Sequence, residues 1–243
     1  MGGELPGPAV ALIPAFQPTQ TLCWLAGSLE EEGFQVLVVD DGSGSQAAEV
    51  FRTVETMAPV LRHWTNKGKG EALRTGMAWI QDHCGPETMI VTVDADGQHL
   101  PSDAVQVCAV GFSCIGAASE GLVLGVRFDD SGTPVRSRIG HDLARIVFRM
   151  ATGRYLADTQ TGLRAFRAKM IPEMLNIPGS RFEYEMNQLF ILAWQGVPIH
   201  QVRIATVYEQ STGSHYRGLI DSLRVSKAMG TVLLSHLVRQ GKS

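Results

Sequence analysis

Met89–His99, MIVTVDADGQH, is the stretch on which the reading of this chain turns. Its opening residues are apolar and β-branched, the composition of a strand buried in a parallel sheet. The run then breaks into Asp94-Ala95-Asp96 and Gly97, where the strand must stop and the chain turn. Ligands of open α/β sheets bind just beyond the carboxyl ends of the strands, and two carboxylates two residues apart need a positive charge between them and a substrate. A hard divalent cation supplies that charge most simply, with Gln98 and His99 close enough to add ligands. The plainer alternative makes Asp94 the cap of the next helix and leaves Asp96 in a polar turn.

Upstream, strands and helices alternate. Ala9–Pro14 (AVALIP) reads as a first strand, with Pro14-Ala15-Phe16 as its exit. Thr19 or Thr21 can cap a helix that Gly33 stops. Gln35–Asp40 (QVLVVD) is a second strand ending in Asp40-Asp41, followed by Gly42-Ser43-Gly44. A third pair takes the chain through Gln46–Met57 and Pro59–Trp64. After it come Asn66-Lys67-Gly68-Lys69-Gly70 and a helix from about Glu71 to Cys84. Such alternation implies right-handed crossovers and a parallel sheet, so the loops after the strands share one edge. Pro14, Asp40, Asp41, the NKGKG loop, Asp94 and Asp96 are expected to meet there. Acids after a second strand can hydrogen-bond a base or ribose, and Gly-rich backbone lets a ligand approach closely. NKGKG lacks the phosphate-loop pattern and equally reads as a solvated turn.

Downstream the pattern is less regular. Glu120–Phe128 reads as a strand leading to Arg127 and the turn Asp129-Asp130. Pro134 opens a long helix on which Arg138, His141, Asp142 and Arg145 share a face. Asp158-Thr159-Gln160-Thr161-Gly162 is a polar turn before Leu163–Arg167. The stretch from Arg181 begins a helix on which Glu183 and Glu185 lie about 200° apart, so no more than one faces a pocket. Pro198–Tyr208 reads as a late strand, Glu209–Arg217 as a loop, and Leu219–Val238 as a final amphipathic helix. His63, His83, His200 and His236 have no partner spacing and read as surface or satisfied core residues. Trp24, Trp79 and Trp194 read as packing.

Composition narrows the class. The 243 residues are 44% hydrophobic and 19% charged, enough to bury a large α/β core. A net charge of −3 points away from nucleic acid. Arg127, Arg136, Arg138, Arg145, Arg149, Arg154, Arg164 and Arg167 crowd one stretch, where some can converge on an anion and others cover solvated helix faces. Cys23, Cys84, Cys108 and Cys114 show no metal-type spacing and are expected reduced and buried. Neither a signal peptide nor a run of the ~20 apolar residues that span a bilayer is found, so a cytoplasmic protein is expected.

The motifs together resemble the family 2 inverting glycosyltransferases of GT-A fold, in the dolichyl- or polyprenyl-phosphate mannose or glucose synthase branch. The matches are IPAF at Ile13, VVDDGS at Val38, the G-x-A-L-x-x-G pattern from Gly70 to Gly76, DADGQH at Asp94, GVRF at Gly125, RSR at Arg136, DTQTGLRAF at Asp158, RFEYEM at Arg181 and SHYR at Ser214. The resemblance implies a Rossmann-like, mostly parallel central sheet with helices on both faces. It also implies a single domain over 1–243, with a nucleotide-binding half at 9–116 and an acceptor and closing half at 117–243.

The donor implied is a nucleotide-diphosphate sugar of GDP-mannose or UDP-glucose type, and the acceptor a polyprenyl phosphate at the inner face of the membrane or another group. Pro14, Ala15, Asp40, Asp41, Lys67, Gly68, Asp94, Ala95 and Arg217 would line the donor, with Ser214–Arg217 closing over it. Asp96 and Gln98, with Asp94 beside them nearer the ribose or sugar, would hold Mg²⁺ or Mn²⁺. Arg127 and one of Arg136 or Arg138 would hold the diphosphate or an acceptor phosphate. An anionic lipid phosphate needs no general base, whereas a hydroxyl acceptor does, with Glu185 or Glu183 as the candidate. Two departures stand out. Many relatives carry C-terminal membrane helices, which this sequence lacks, and Gly97 replaces a bulkier residue, which either widens the site or eases the turn. A non-catalytic nucleotide-sugar binder, a sugar nucleotidyltransferase and a receiver-type signalling domain are the competing classes.

Overall fold

The computed structural model describes residues 5–116, 119–127 and 135–205, with 135–141 as backbone only. Among the described residues seven strands form one sheet: β1 (Ala9–Ala15), β2 (Gln35–Asp40), β3 (Val60–Arg62), β4 (Met89–Thr92), β5 (Leu122–Val126), β6 (Arg164–Arg167) and β7 (Ile199–Arg203). Their order is β3-β2-β1-β4-β6-β5-β7. The first four strands are parallel, and β5 and β7 are parallel to each other. Only β6 runs antiparallel, against both β4 and β5, so the sheet is mixed where the second half of the chain joins it.

Helices cover both faces, as the near-continuous apolar strands require. They are α1 (Thr21–Glu31), α2 (Ala48–Val54), α3 (Lys69–His83), α4 (Pro101–Cys114), α5 (Val135–Thr152), α6 (Ile171–Leu175) and α7 (Glu183–Trp194). Side chains alternate along each strand and feed two cores. Val10, Leu12, Leu37, Val39 and Ile90 pack with Leu73, Met77 and Ile80 of α3 and with Phe148 and Phe190. Ala11, Ile13, Val38, Met89 and Val91 pack with Leu22, Leu25 and Leu29 of α1 and with Val107 and Cys108 of α4.

Several local expectations are corrected. Helix α1 is entered through Gln20 without a side-chain cap, and Thr19 bonds Thr21 instead. Helix α3 starts at Lys69, two residues earlier than its apolar pattern indicates, because Gly68 takes a left-handed φ of 105° and turns the chain in. Trp24 is half exposed rather than packed. All four cysteines are free, but Cys114 is exposed. Among the described residues no helix is long and apolar enough to cross a membrane. Asp129, Asp130, Ser214–Arg217 and Leu219–Val238 lie outside the described residues, as do the side chains of Arg136, Arg138 and His141.

Candidate active site

The site is built where β4 ends, and neither acid of the D-A-D stretch caps a helix. Helix α4 begins at Pro101, and Asp103 Oδ2 closes its first turn by accepting from Leu100 N at 3.2 Å. Gly97 has a left-handed φ of 75°, and a Cβ there would lie 2.5 Å from Thr21 Cγ2. Glycine at this position therefore serves the turn.

Asp94 Oδ1 lies 2.6 Å from Lys69 Nζ, and Lys69 Nζ lies 2.7 Å from Glu185 Oε2. On its other side Asp94 Oδ2 is 3.7 Å from His99 Nε2. Burial alone would raise the Asp94 carboxyl, but Lys69 and then His99 reverse this and hold it well below the usual carboxylate range. Burial likewise opposes the Lys69 charge, and Asp94 and Glu185 more than restore it. Asp96 is different. Its side chain is exposed, and among the described residues Oδ1 accepts only a backbone bond, from Gln98 N at 3.0 Å. Crowding by protein and then the neighbouring Asp94 charge push its carboxyl upward. The pair is thus divided into an acid already matched by the Lys69 ammonium with His99 beside it and an acid short of positive charge.

Lys69 was not among the residues singled out from the sequence, which favoured Lys67. The Lys67 side chain is exposed, and its backbone N bonds Asp41 Oδ1 at 2.9 Å. Two glycines bring Lys69 to the site. A Cβ on Gly68 would lie 2.4 Å from Arg181 Cγ, and one on Gly70 would lie 2.6 Å from Tyr184 Cβ. With no side chains there, the start of α3 presses against residues 180–184, and Glu71 N donates to Ser180 O at 3.0 Å. The signal in the sequence was the G-x-G spacing around Lys69, which permits such a close approach.

The floor beneath Asp94 comes from the second half. Gly162 lies under the carboxylate, and a Cβ there would sit 2.4 Å from Asp94 Oδ2. Thr92 Oγ1 donates to Gly162 O at 2.7 Å, and Thr161 Oγ1 to Gly125 O at 2.6 Å, which fixes the 158–162 turn. Arg164 is buried and donates to Thr161 O, Glu185 O and Gln188 Oε1. Its Nη2 and Glu185 Oε1 have no hydrogen-bond partner among the described residues, and the two residues border a cavity of about 10 Å³. Glu183 points elsewhere, accepting from Ser180 N and Arg181 N at 3.0 and 3.1 Å.

Arg127, the residue expected to hold a phosphate, braces the end of the D-A-D turn. Nη1 donates to Gln98 Oε1 at 3.3 Å, and Nη2 to Gln98 O at 3.0 Å and to His99 Nδ1 at 3.3 Å. Arginine only donates, so His99 Nδ1 accepts and its proton sits on Nε2, towards Asp94.

The two acids at the end of β2, Asp40 and Asp41, are both buried but take different partners. Asp41 is buried and accepts from His63 Nδ1, Lys67 N and Gly68 N, organising the loop rather than facing outward. Asp40 Oδ1 accepts from Ser43 N at 2.8 Å, with Oδ2 3.9 Å from Arg62 Nε. Ala15 is buried and its carbonyl accepts from Asp41 N, while Pro14 is half-buried beside it. Ala95 is half-buried in the same turn as Asp94.

For a divalent cation, the donors on offer are hard oxygens: the open Asp96 carboxylate and the Gln98 carbonyl. That set suits Mg²⁺ or Mn²⁺, which keep several waters and rely on substrate phosphates for the rest. Among the described residues no three His, Cys, Asp or Glu side chains gather into a closed metal cage.

Comparison with known proteins places this geometry in context. The sequence profile of Glycosyl transferase family 2 matches residues 12–139. An uncharacterized protein of Methanocaldococcus jannaschii is 27% identical over 222 residues, spanning 88% of this chain and 87% of the relative. The UDP-N-acetylglucosamine–dolichyl-phosphate N-acetylglucosaminyltransferase of Methanococcus voltae is 27% identical over 223 residues, spanning 82% and 85%. Among solved structures, glucosyl-3-phosphoglycerate synthase from Mycobacterium tuberculosis, in complex with Mn²⁺, UDP and glucosyl-3-phosphoglycerate, superposes with a TM-score of 0.66 at 18% identity. That match covers 93% of this chain and 80% of the other.

Proposed function

The chain belongs to glycosyl transferase family 2 and is a glycosyltransferase of GT-A fold, and from that premise we propose that it moves a hexose, with inversion, from a nucleotide-diphosphate sugar to a polyprenyl phosphate. The observation that carries this reading is the division of labour at the end of β4, with Asp94 held ionised by Lys69 and His99 while Asp96 stays open. The dolichyl-phosphate acceptor in the name of the Methanococcus voltae relative supports the acceptor class. A donor of GDP-mannose or UDP-glucose type fits the same edge, where Pro14, Ala15 and Asp40 would border the base and ribose. The single-domain division into a donor half at 9–116 and an acceptor half at 117–243 belongs to the same proposal.

Asp96 and Gln98 would hold Mg²⁺ or Mn²⁺, which when bound neutralises, as a Lewis acid, the charge growing on the leaving diphosphate. Arg127 holds the Gln98 carbonyl in place from behind. Asp94 orients the hydroxyls of the sugar or ribose, its carboxylate fixed from two sides and from Gly162 below. Arg136 or Arg138 at the start of α5, and Arg217 with the Ser214–Arg217 segment, would grip phosphate and close over the donor. An oxygen of the acceptor phosphate attacks the anomeric carbon from the opposite face. The bond to the diphosphate oxygen breaks with its electron pair leaving on the nucleotide, and the configuration inverts.

Glu185 supports an acceptor that arrives already ionised. One oxygen is taken by Lys69, the other is buried with no partner among the described residues, and the side chain sits behind Lys69. With the first oxygen on Lys69, Glu185 is not presented to an acceptor hydroxyl, and it reads as a positioning residue. A phosphate monoester brings its own negative oxygen and needs no base.

Thermal melting of the protein against a panel of nucleotide-diphosphate sugars, with and without Mn²⁺, tests the donor. A ligand at 100 times its Kd stabilises by about 2.7 kcal/mol. One donor class should raise the melting temperature in a metal-dependent way, and labelled sugar should then pass to polyprenyl phosphate. Flat melting curves with every donor, or transfer to hydroxyl acceptors alone, would sink the reading.

A further inference from the structure

We propose that Lys69 is a positioning residue: by holding Asp94 and Glu185 on one ammonium, it keeps Asp94 off the divalent cation and leaves Asp96, among the described residues, as the only carboxylate ligand. The inference rests on the reading of Asp96 and Gln98 in the preceding subsection and says what makes that site depend on its donor.

The geometry is specific. The ammonium of Lys69 is within 2.6 Å of one carboxylate and 2.7 Å of the other, with its side chain only 14% exposed. Asp94 thus has one oxygen on Lys69 and the other towards His99, whereas Asp96 has, among the described residues, a single backbone bond. The ammonium cannot swing away cheaply, because the close packing at Gly68 and Gly70 fixes the first turn of α3 against residues 180–184. Glu185 cannot retreat either, since Arg164 clamps its backbone carbonyl and Gln188 from below.

Two acids spaced as Asp94 and Asp96 are would otherwise both reach one cation. Two carboxylates bind a hard divalent ion more tightly than one, because affinity rises with ligand charge. With Lys69 in place, the ion meets one carboxylate and a neutral carbonyl, too little to hold it firmly. It must then take its remaining charge from the diphosphate, so cation and donor enter together. This ties cation binding to the presence of substrate.

The test is Mn²⁺ binding to the full-length protein, measured by the electron paramagnetic resonance signal of free Mn²⁺, with and without a nucleoside diphosphate. For the wild type, weak binding alone and tighter binding with the diphosphate are expected. Lys69→Met should tighten donor-free binding by about tenfold, equivalent to about 1.4 kcal/mol, and shrink the gain from the diphosphate. Lys69→Arg, which keeps the charge, should behave as the wild type. Unchanged or weaker Mn²⁺ binding in Lys69→Met would overturn the proposal.

A second variant keeps the question open to refutation if Lys69→Met folds poorly. Asp94→Asn should bind donor-free Mn²⁺ as the wild type does, since Asp94 is not a ligand, and a clear loss of affinity would refute the inference alone. Absence of Mn²⁺ binding in the wild type with every nucleoside diphosphate would overturn it together with the cation reading it rests on.

Discussion

His63 Nδ1 lies 2.7 Å from Asp41 Oδ1, and both side chains are almost wholly buried. The other ring nitrogen is 2.9 Å from Thr75 Oγ1 on α3, so the imidazole ties the exit of β2 to the helix that carries Lys69. Asp41 in turn collects Lys67 N and Gly68 N, and the loop reaches α3 already shaped.

Replacing His63 should therefore act on stability first. His63→Leu leaves the Asp41 carboxylate short of a donor in a buried place and should cost about 1–3 kcal/mol. Urea unfolding followed by circular dichroism measures it, and a variant as stable as the wild type would show that the bridge contributes nothing.

Asp96→Asn should separate chemistry from folding. The side chain is exposed and its charge is disfavoured by Asp94, so the melting point should stay near that of the wild type. Metal-dependent turnover should fall by about a hundredfold or more, as expected when the residue holding a Lewis acid is lost. Turnover and melting curves of the purified variant, measured side by side, give the answer.

Gly162→Ala places a methyl group where the Asp94 carboxylate already sits, 2.4 Å from Oδ2. Asp94 must rotate, and its pairing with Lys69 should loosen. A loss of about tenfold or more in kcat/KM for the donor is expected, in line with what small misplacements cost in positioned sites. Gly85→Ala, with nothing within 4 Å of the added carbon and lying before β4 rather than beyond its carboxyl end, is the matched control and should leave kcat/KM unchanged.

The cysteines give a pH-dependent readout. Burial pushes the Cys108 thiol up to about 12, with Arg167 only partly opposing this. An unfolded cysteine titrates near 8.5. The folded state therefore resists ionisation, and the stability linked to Cys108 is intact below about pH 8.5 and lost as pH rises towards 12. At pH 8 a thiol reagent should label exposed Cys114 quickly and Cys108 only on unfolding, which mass spectrometry of the labelled peptides would show. Rapid native-state labelling of Cys108 would contradict the packing of α4.

By itself the sequence determined the alternation of strand and helix through β4, the shared edge where the loops meet, and the family, because hydrophobic period and glycine placement are local properties. It also separated Glu183 from Glu185 through helix geometry. It did not show that β6 turns antiparallel, that Asp41 gathers His63, Lys67 N and Gly68 N while the equally buried Asp40 takes Ser43 N, or that Arg127 braces Gln98 and His99. Nor did it choose Lys69 over Lys67. Those outcomes rest on side chains brought together from opposite halves of the chain, where the pressing of residues 68–70 against 180–184 sets an ammonium between Asp94 and Glu185. Charge pairing of that kind depends on distances of a few ångströms in space, and spacing along the chain carries no record of them.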